Sequence, residues 1–210
     1  MESIQKLSLY IEDWLTKYIK KSKMKGFVVG VSGGIDSAVT STICARTGYP
    51  TLCLEMGIHQ NVSQISKARK HIQWLEENFK NVSHQYLSLT KLFDEFCYTL
   101  PKGIDGNKKN LALANSRARL RMTTLYYFSS INNYLVAGTG NKVEDFGIGF
   151  YTKYGDGGVD ISPIADCNKT EVWELGKELG ILKEIIDAPP TDGLWDDGRT
   201  DEGQLGFKYS

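Results

Sequence analysis

The feature that most constrains the fold is an alternation of short strand-like runs with longer amphipathic segments. The runs are apolar, or alternate apolar with polar residues, and turn residues bound them, as is typical of strands. The predicted strands are residues 27–31, 51–56, 82–89 and 134–137. Apolar residues recur at helical spacing in residues 4–19, 38–46, 65–79 and 111–131. We therefore predict a doubly wound α/β fold, with a mainly parallel five-stranded sheet and helices on both faces.

Two further helices are predicted from local signals. Asn168 and Glu171 have the spacing of a capping box, so a helix should begin beside Asn168. Gly180 is predicted to end that helix. A shorter helix is expected around Phe93 and Phe96.

Composition and charge exclude several classes of protein. The 25 basic and 25 acidic residues balance, so the chain lacks the net positive field of a general nucleic-acid binder. The four cysteines form no Cys-x-x-Cys pair, which argues against a zinc ribbon, a thioredoxin-type site or a disulfide framework. Residues 1–25 have no continuous apolar region, so we expect neither a signal peptide nor a membrane span. A cytoplasmic protein is expected.

A glycine-rich turn follows the first predicted strand, with the sequence Ser32-Gly33-Gly34-Ile35-Asp36-Ser37. It lacks the Gly-Lys-Ser/Thr ending of a Walker A loop and the spacing of the Rossmann fingerprint. Backbone amides at the start of the next helix favour an anion, and a carboxylate such as Asp36 can hold Mg²⁺. The alternative is an ordinary turn in which Asp36 or Ser37 only caps the helix.

The same turn resembles the pyrophosphate loop of the ATP pyrophosphatase superfamily, whose members cleave ATP between the α and β phosphates. Further strings, in the same order along the chain, resemble the NAD synthetase family. These strings are Ala118-Arg119-Leu120-Arg121-Met122, Gly138-Thr139-Gly140-Asn141-Lys142, Thr152-Lys153-Tyr154-Gly155-Asp156-Gly157-Gly158, Pro190-Thr191-Asp192 and Asp201-Glu202-Gly203-Gln204-Leu205-Gly206. Because 210 residues leave no room for a glutaminase domain, the resemblance implies one domain, residues 1–210, of the form that uses free ammonia.

The resemblance implies a reaction and its partners. ATP would adenylate the nicotinate carboxylate of deamido-NAD, and ammonia would displace AMP to give NAD, with pyrophosphate released. Mg²⁺ would be the cofactor. The long helix would lie in a homodimer interface, and neither nucleic acid nor membrane would be a partner.

The resemblance also implies roles for individual residues. Asp36, Asp156 and Lys169 would be catalytic, and Asp36 and Glu144 would bind the metal. Arg119, Lys153, Asp156 and Asp160 would bind deamido-NAD. The ATP-binding residues would be Gly30, Val31, Ser32, Gly33, Gly34, Ile35, Asp36, Ser37, Thr139, Lys169 and Thr191.

Several alternatives stay open. The segment between Thr139 and Lys153 is one residue longer than in many relatives, so Asp145 is a rival to Glu144 as metal ligand. The family usually continues to a His-Lys pair that reaches the dinucleotide, and no histidine of this sequence precedes a lysine, so a C-terminal part is expected beyond residue 210. The other candidate functions are another pyrophosphatase-loop amidotransferase, a tRNA-thiolating enzyme, or a nucleotide-binding regulator without turnover.

Overall fold

The structure is a computed structural model that describes residues 2–103 and 106–188. Within this part of the chain, four strands form one parallel sheet in the order β3-β2-β1-β4. The strands are β1 (Gly26–Gly30), β2 (Thr51–Gly57), β3 (Val82–Ser88) and β4 (Tyr134–Val136). The predicted fold class is confirmed.

The prediction of five strands is wrong, since the described sheet has four. Beside the end of β4, Ile161 forms a single parallel bridge with Ala137. The chain then turns, with the Ala165 amide donating to the Ser162 carbonyl at 3.2 Å. Pro163 has no amide to donate to a ladder, so strand pairing stops after one bridge.

Helices cover both faces of the sheet. They are α1 (Glu2–Ser22), α2 (Ile35–Arg46), α3 (Val62–Asn78), α4 (Thr90–Thr99), α5 (Asn107–Asn132), α6 (Lys169–Glu178) and α7 (Lys183–Ile186). Alternate residues of β1 point to opposite faces, as strand geometry requires. Phe27 and Val29 join the core formed with α1, α2 and α6, while Val28 joins the core formed with α4 and α5. No described helix is long and apolar enough to cross a bilayer.

The capping signals for α6 are confirmed. The Asn168 amide donates to Glu171 Oε2 at 2.7 Å, which completes the predicted capping box. Gly180 follows the helix with φ +72°, a conformation that glycine adopts readily. These local signals fix where Lys169 lies, at the first turn of α6.

The direction of winding reverses beside β1. β2 and β3 lie on one side of β1, and β4 lies on the other. In open parallel sheets, ligands bind at the carboxyl ends of the strands where the strand order reverses. The loop 31–34, after β1, and residues 138–141, after β4, therefore border the crevice of this fold.

Candidate nucleotide site

The loop between β1 and α2 is held in one compact conformation. Gly33 has φ +87°, and a Cβ at this position would lie 2.7 Å from the carbonyl oxygen of Gln64, so only glycine fits. The Ser37 hydroxyl accepts from the Ser32 amide at 3.2 Å and donates to the Gly34 carbonyl at 3.0 Å. The turn is thus stabilised by its own side chains before any ligand binds.

The first turn of α2 has amides free for an anion. Its N-cap is Gly34, which has no side chain with which to cap the helix. The first amides of a helix have no intrahelical partner, and the helix dipole places positive potential there. Neither Asp36 nor Ser37 caps α2 by a side-chain bond, so the geometry favours an anion site over an ordinary capped turn.

Asp36 instead points to a buried lysine. Lys169 Nζ lies 2.6 Å from Asp36 Oδ2 and 2.9 Å from Glu144 Oε1. The side chain of Lys169 is 2% exposed, and those of Asp36 and Glu144 are 19% and 15% exposed. Three elements therefore bring the predicted metal ligands and the predicted catalytic lysine to one point at the start of α2.

The charges of this cluster depend on one another. Burial raises the pKa of the Asp36 carboxyl; the Lys169 ammonium opposes that rise, and Glu144 adds to it. Burial alone would lower the pKa of Lys169, but the Asp36 and Glu144 carboxylates raise it above its ordinary value. We therefore assign Lys169 as protonated. Two carboxylates against one ammonium leave the cluster attractive to a further cation.

Asn141 connects the Asp36 carboxylate to the backbone that carries Glu144, and the sequence analysis gave it no role. Its Nδ2 donates to Asp36 Oδ1 at 3.0 Å, and its Oδ1 accepts from the amides of Val143 and Glu144 at 3.1 Å each. Asn141 is fully buried. The only sequence signal for it was its position in the string that follows β4.

A π-helical turn, Val143–Ile148, carries both candidates for the second metal ligand. Such turns are rare and frequently lie at functional sites. Glu144 faces Lys169, whereas the Asp145 carboxylate packs so closely over Gly140 that a Cβ there would collide with it. Burial, with the neighbouring Asp156, Glu144 and Asp36 carboxylates, raises the pKa of Asp145 to about 6.

The donor set of this cluster suits Mg²⁺ bound together with phosphates. Among residues 2–103 and 106–188, no cluster of three or more histidine, cysteine or acidic side chains could hold a metal unaided. Mg²⁺, however, is commonly held by one or two carboxylates together with substrate phosphates and water. Asp36 and Glu144 converge on one cation beside the anion site, so these residues fit such an ion.

The glycine-rich segment after the π-helical turn meets α5. Arg119 Nε donates to the carbonyl oxygen of Lys153 at 3.1 Å, and the Lys153 ammonium lies 5.2 Å from the centre of the Tyr154 ring. The exposed Asp156 accepts from the Thr152 amide at 3.1 Å. The structure thus brings together three of the four residues predicted to bind the dinucleotide.

The remaining predicted residues lie elsewhere. Asp160 accepts from the Tyr126 hydroxyl at 3.0 Å and from the Val136 amide at 2.8 Å, so both of its oxygens hold α5 against β4. Thr139 follows β4 and is half-buried. Thr191 lies outside the described residues, as do the strings around Asp192 and Gly206.

A second polar region lies between β2, β3 and α3, around a cavity of about 340 Å³. The Glu55 side chain, 7% exposed, pairs with Arg69 at 3.2 Å. The Arg69 guanidinium also lies 4.8 Å from the centre of the Tyr86 ring. Sequence reasoning did not anticipate this pair, because nothing local links residues 55 and 69.

Together, the fold and site define a class. A parallel α/β sheet presents a helix N-terminus for an anion at its switch point, beside two carboxylates able to hold a divalent cation. These are the features of a protein that binds nucleotide phosphates.

Known proteins identify the family within this class. Residues 7–210 match the sequence model of NAD synthase. The NH(3)-dependent NAD(+) synthetase of Carboxydothermus hydrogenoformans is 41% identical over 94% of this chain and 79% of its own. The NMN synthetase of Francisella tularensis has a TM-score of 0.90 and 34% identity, covering 98% of this chain and 82% of that one. The NH3-dependent NAD synthetase of Campylobacter jejuni has a TM-score of 0.77 and 31% identity, covering 87% and 76%.

The chain belongs to the NAD synthase family. These matches confirm the predicted function as an ammonia-dependent NAD synthetase, and with it the enzyme class, a ligase that forms a carbon–nitrogen bond.

Proposed function

We propose that the chain binds ATP with its phosphates against the start of α2, adenylates the nicotinate carboxylate of deamido-NAD, and converts it to the amide with ammonia. The observation that carries this proposal is the convergence of Asp36, Glu144 and Lys169 beside the unpartnered helix amides. A carboxylate is a poor acyl donor until its oxygen becomes part of a good leaving group. Transfer of AMP supplies that group.

The first step brings an anionic carboxylate to an anionic phosphate, so the barrier is largely electrostatic. Backbone amides of α2 and the Lys169 ammonium would stabilise charge that develops on the α-phosphate. Asp36 and Glu144 would hold Mg²⁺, which would supply additional positive charge at the phosphates. Breakage between the α and β phosphates leaves pyrophosphate as the departing group.

The second step requires unprotonated ammonia, whereas ammonium is the main form at neutral pH. A nearby carboxylate can accept the proton that the nitrogen loses. We assign this role to Asp156, because its exposed carboxylate lies in the segment that Arg119 and Lys153 share. These two basic residues would bind the substrate, and closure of the segment would exclude water.

Three further residues are assigned to substrate binding. We propose that Thr139 and Thr191 contact ATP, and that Asp160 reaches the dinucleotide only if its bonds to Tyr126 and Val136 rearrange. We propose a homodimer, which exposed apolar side chains on α5 support: Leu111 is 53%, Tyr127 62% and Ile131 59% exposed. The cytoplasmic location and the single domain over residues 1–210 stay predictions.

Two of the four cysteines, Cys44 and Cys53, are buried and poorly suited to a tRNA-thiolating function. Burial raises the pKa of the Cys53 thiol to about 12 and that of Cys44 still further. The thiolate is the reactive form of cysteine, so neither residue is suited to carry sulfur.

A second candidate substrate is nicotinate mononucleotide, the acid that corresponds to NMN. The observation that favours it is the likeness, at a TM-score of 0.90, to the NMN synthetase of Francisella tularensis. The chemistry at the carboxylate would be unchanged. Nicotinate mononucleotide lacks the adenylate half of deamido-NAD. The two candidate substrates therefore differ in whether the protein contacts that half.

One assay distinguishes these functions. The purified protein is supplied with Mg-ATP, ammonium and either deamido-NAD or nicotinate mononucleotide, and NAD, NMN, AMP and pyrophosphate are measured. We expect amide, AMP and pyrophosphate in equal amounts with deamido-NAD. A higher kcat/KM with the mononucleotide would select the second candidate. Nucleotide binding without AMP formation with either acid would contradict both and favour the regulator.

A further inference from the structure

We propose that Asn141 is a positioning residue that sets the geometry of the metal-binding carboxylates. The proposal rests on the proposed roles of Asp36 and Glu144 as Mg²⁺ ligands. Asn141 is fully buried and contacts both ligand-bearing segments through one side chain. Lys169 also contacts both segments, through the two carboxylates, whereas Asn141 contacts one carboxylate and the backbone amide of the other ligand.

The amide nitrogen of Asn141 orients Asp36. Nδ2 donates to Asp36 Oδ1 at 3.0 Å, while the other oxygen, Oδ2, faces Lys169 at 2.6 Å. One carboxylate oxygen is therefore committed to a neutral donor, and the other contacts the Lys169 ammonium. Rotation of the Asp36 carboxylate would break both contacts.

The amide oxygen of Asn141 anchors Glu144. Oδ1 accepts from the Val143 and Glu144 amides at 3.1 Å each, as an N-cap does at the start of a helical turn. This fixes the backbone from which Glu144 reaches Lys169 at 2.9 Å. Because one planar side chain makes both sets of contacts, it couples the orientation of the Asp36 carboxylate to the position of the Glu144 backbone.

Asparagine is the side chain that these contacts require. It offers a donor on one side and an acceptor on the other, both in one plane. Serine could still accept from the capped amides but is too short to donate to Asp36. Aspartate would keep the cap but would present a carboxylate to a carboxylate.

The test uses Mn²⁺ as a probe for Mg²⁺, measured by electron paramagnetic resonance. Mn²⁺ is titrated into the full chain with α,β-methylene-ATP, which cannot be cleaved between the α and β phosphates. Groups that orient metal ligands typically change metal affinity by about 10–100-fold. We expect Asn141→Ser to weaken Mn²⁺ binding by about tenfold or more and Asn141→Asp to weaken it at least as much.

Asn61→Ser is the matched control. Asn61 caps α3 by accepting from the Ser63 amide at 2.9 Å and contacts neither metal ligand. The Mn²⁺ affinity of the Asn61→Ser variant should equal that of the natural protein. Circular dichroism and thermal unfolding establish that each variant is folded at the titration temperature. If Asn141→Asp unfolds, the test rests on Asn141→Ser, which keeps the cap without adding a charge.

Three outcomes would overturn the proposal. If Asn141→Ser leaves the Mn²⁺ affinity unchanged while Asp36→Asn abolishes Mn²⁺ binding, the positioning role of Asn141 is refuted. The metal assignment then stands. An equal loss in Asn61→Ser would show a general effect of replacing a capping asparagine by serine. If Mn²⁺ binding is unaffected by Asp36→Asn, the metal assignment of the proposed function fails and this inference fails with it.

Discussion

Lys169 is a buried ammonium that is paired with two carboxylates of the candidate site. An ammonium that is 2% exposed needs compensation for its lost hydration, and two carboxylates contribute to it here. Breaking a buried pair by removing one partner is costly, because the other charge is left without compensation. Here a second carboxylate remains after either acid is removed, so each can be tested separately in a folded protein.

At this scale we predict that Asp36→Ala abolishes AMP formation while the fold survives, since Glu144 still compensates Lys169. Loss of one electrostatic stabiliser of a transition state typically costs about 10²–10³-fold in rate, and loss of a metal ligand should cost at least as much. Release of labelled AMP and the far-ultraviolet circular dichroism spectrum would be measured. Asp13→Ala, on the exposed face of α1, is the control. Near-normal turnover in Asp36→Ala would refute the metal assignment.

At the scale of elements, the glycine loop depends on its contact with α3. Gly33→Ala places a Cβ 2.7 Å from the Gln64 carbonyl at φ +87°, so we expect destabilisation of about 2 kcal/mol or more. Gly34→Ala is the matched control, because the nearest atom to its Cβ is Ser32 Oγ at 3.4 Å. Urea unfolding measures both. Equal midpoints for the two variants would contradict this account of the loop.

The packing of α3 on α2 should make stability depend on pH. Burial lowers the pKa of His71 from its ordinary 6.5 to about 4, and Nε2 lies 3.0 Å from the Ser41 hydroxyl. The unfolded chain binds a proton below pH 6.5, while the folded chain does not until about pH 4. Stability is therefore fully present above pH 6.5 and is lost progressively as the pH falls toward 4.

We expect this single group to remove about 2 kcal/mol of unfolding free energy between pH 7.5 and pH 5. His71→Gln, which does not titrate, should lose correspondingly less over the same interval. The comparison requires urea unfolding of both proteins at both pH values. Parallel losses in the two proteins would show that His71 is not the group responsible.

The elements that the sequence predicted are those whose signals are local. The apolar run of β1, the glycines that follow it, and the capping box at Asn168 each lie within a few residues, so their outcome did not depend on distant packing. The strand count failed because Ile161 pairs for one bridge and then turns at Pro163. Pro163 is a local signal for that ending, but the pairing itself depends on where β4 lies, which no local pattern records.

The candidate site, like the fold, could be predicted only as far as local sequence signals reach. Asp36, Glu144 and Lys169 could be named, but their meeting at one point depends on three separate elements. Asn141 was missed because its importance lies in contacts to residues 36, 143 and 144, and a buried asparagine has no distinctive sequence pattern. Glu55 and Arg69 were missed for the same reason.

At the scale of the whole molecule, α5 should form a dimer interface. Tyr127→Glu combined with Ile131→Glu places charges on side chains that are 62% and 59% exposed, so the dimer should dissociate. Light scattering after gel filtration should give half the mass of the unaltered protein. The control is Leu9→Glu with Tyr10→Glu on α1, also exposed, which should leave the mass unchanged. A monomeric unaltered protein would contradict the dimer.

We predict that the start of α2 binds the phosphates of ATP, with a metal ion beside Asp36. The most direct test is a crystal structure of the chain with α,β-methylene-ATP and Mg²⁺. We predict phosphate oxygens within hydrogen-bond distance of the amides in the loop between β1 and α2, and the ion in contact with Asp36 and Glu144. A triphosphate bound elsewhere, with no phosphate or ion at this loop, would contradict the account.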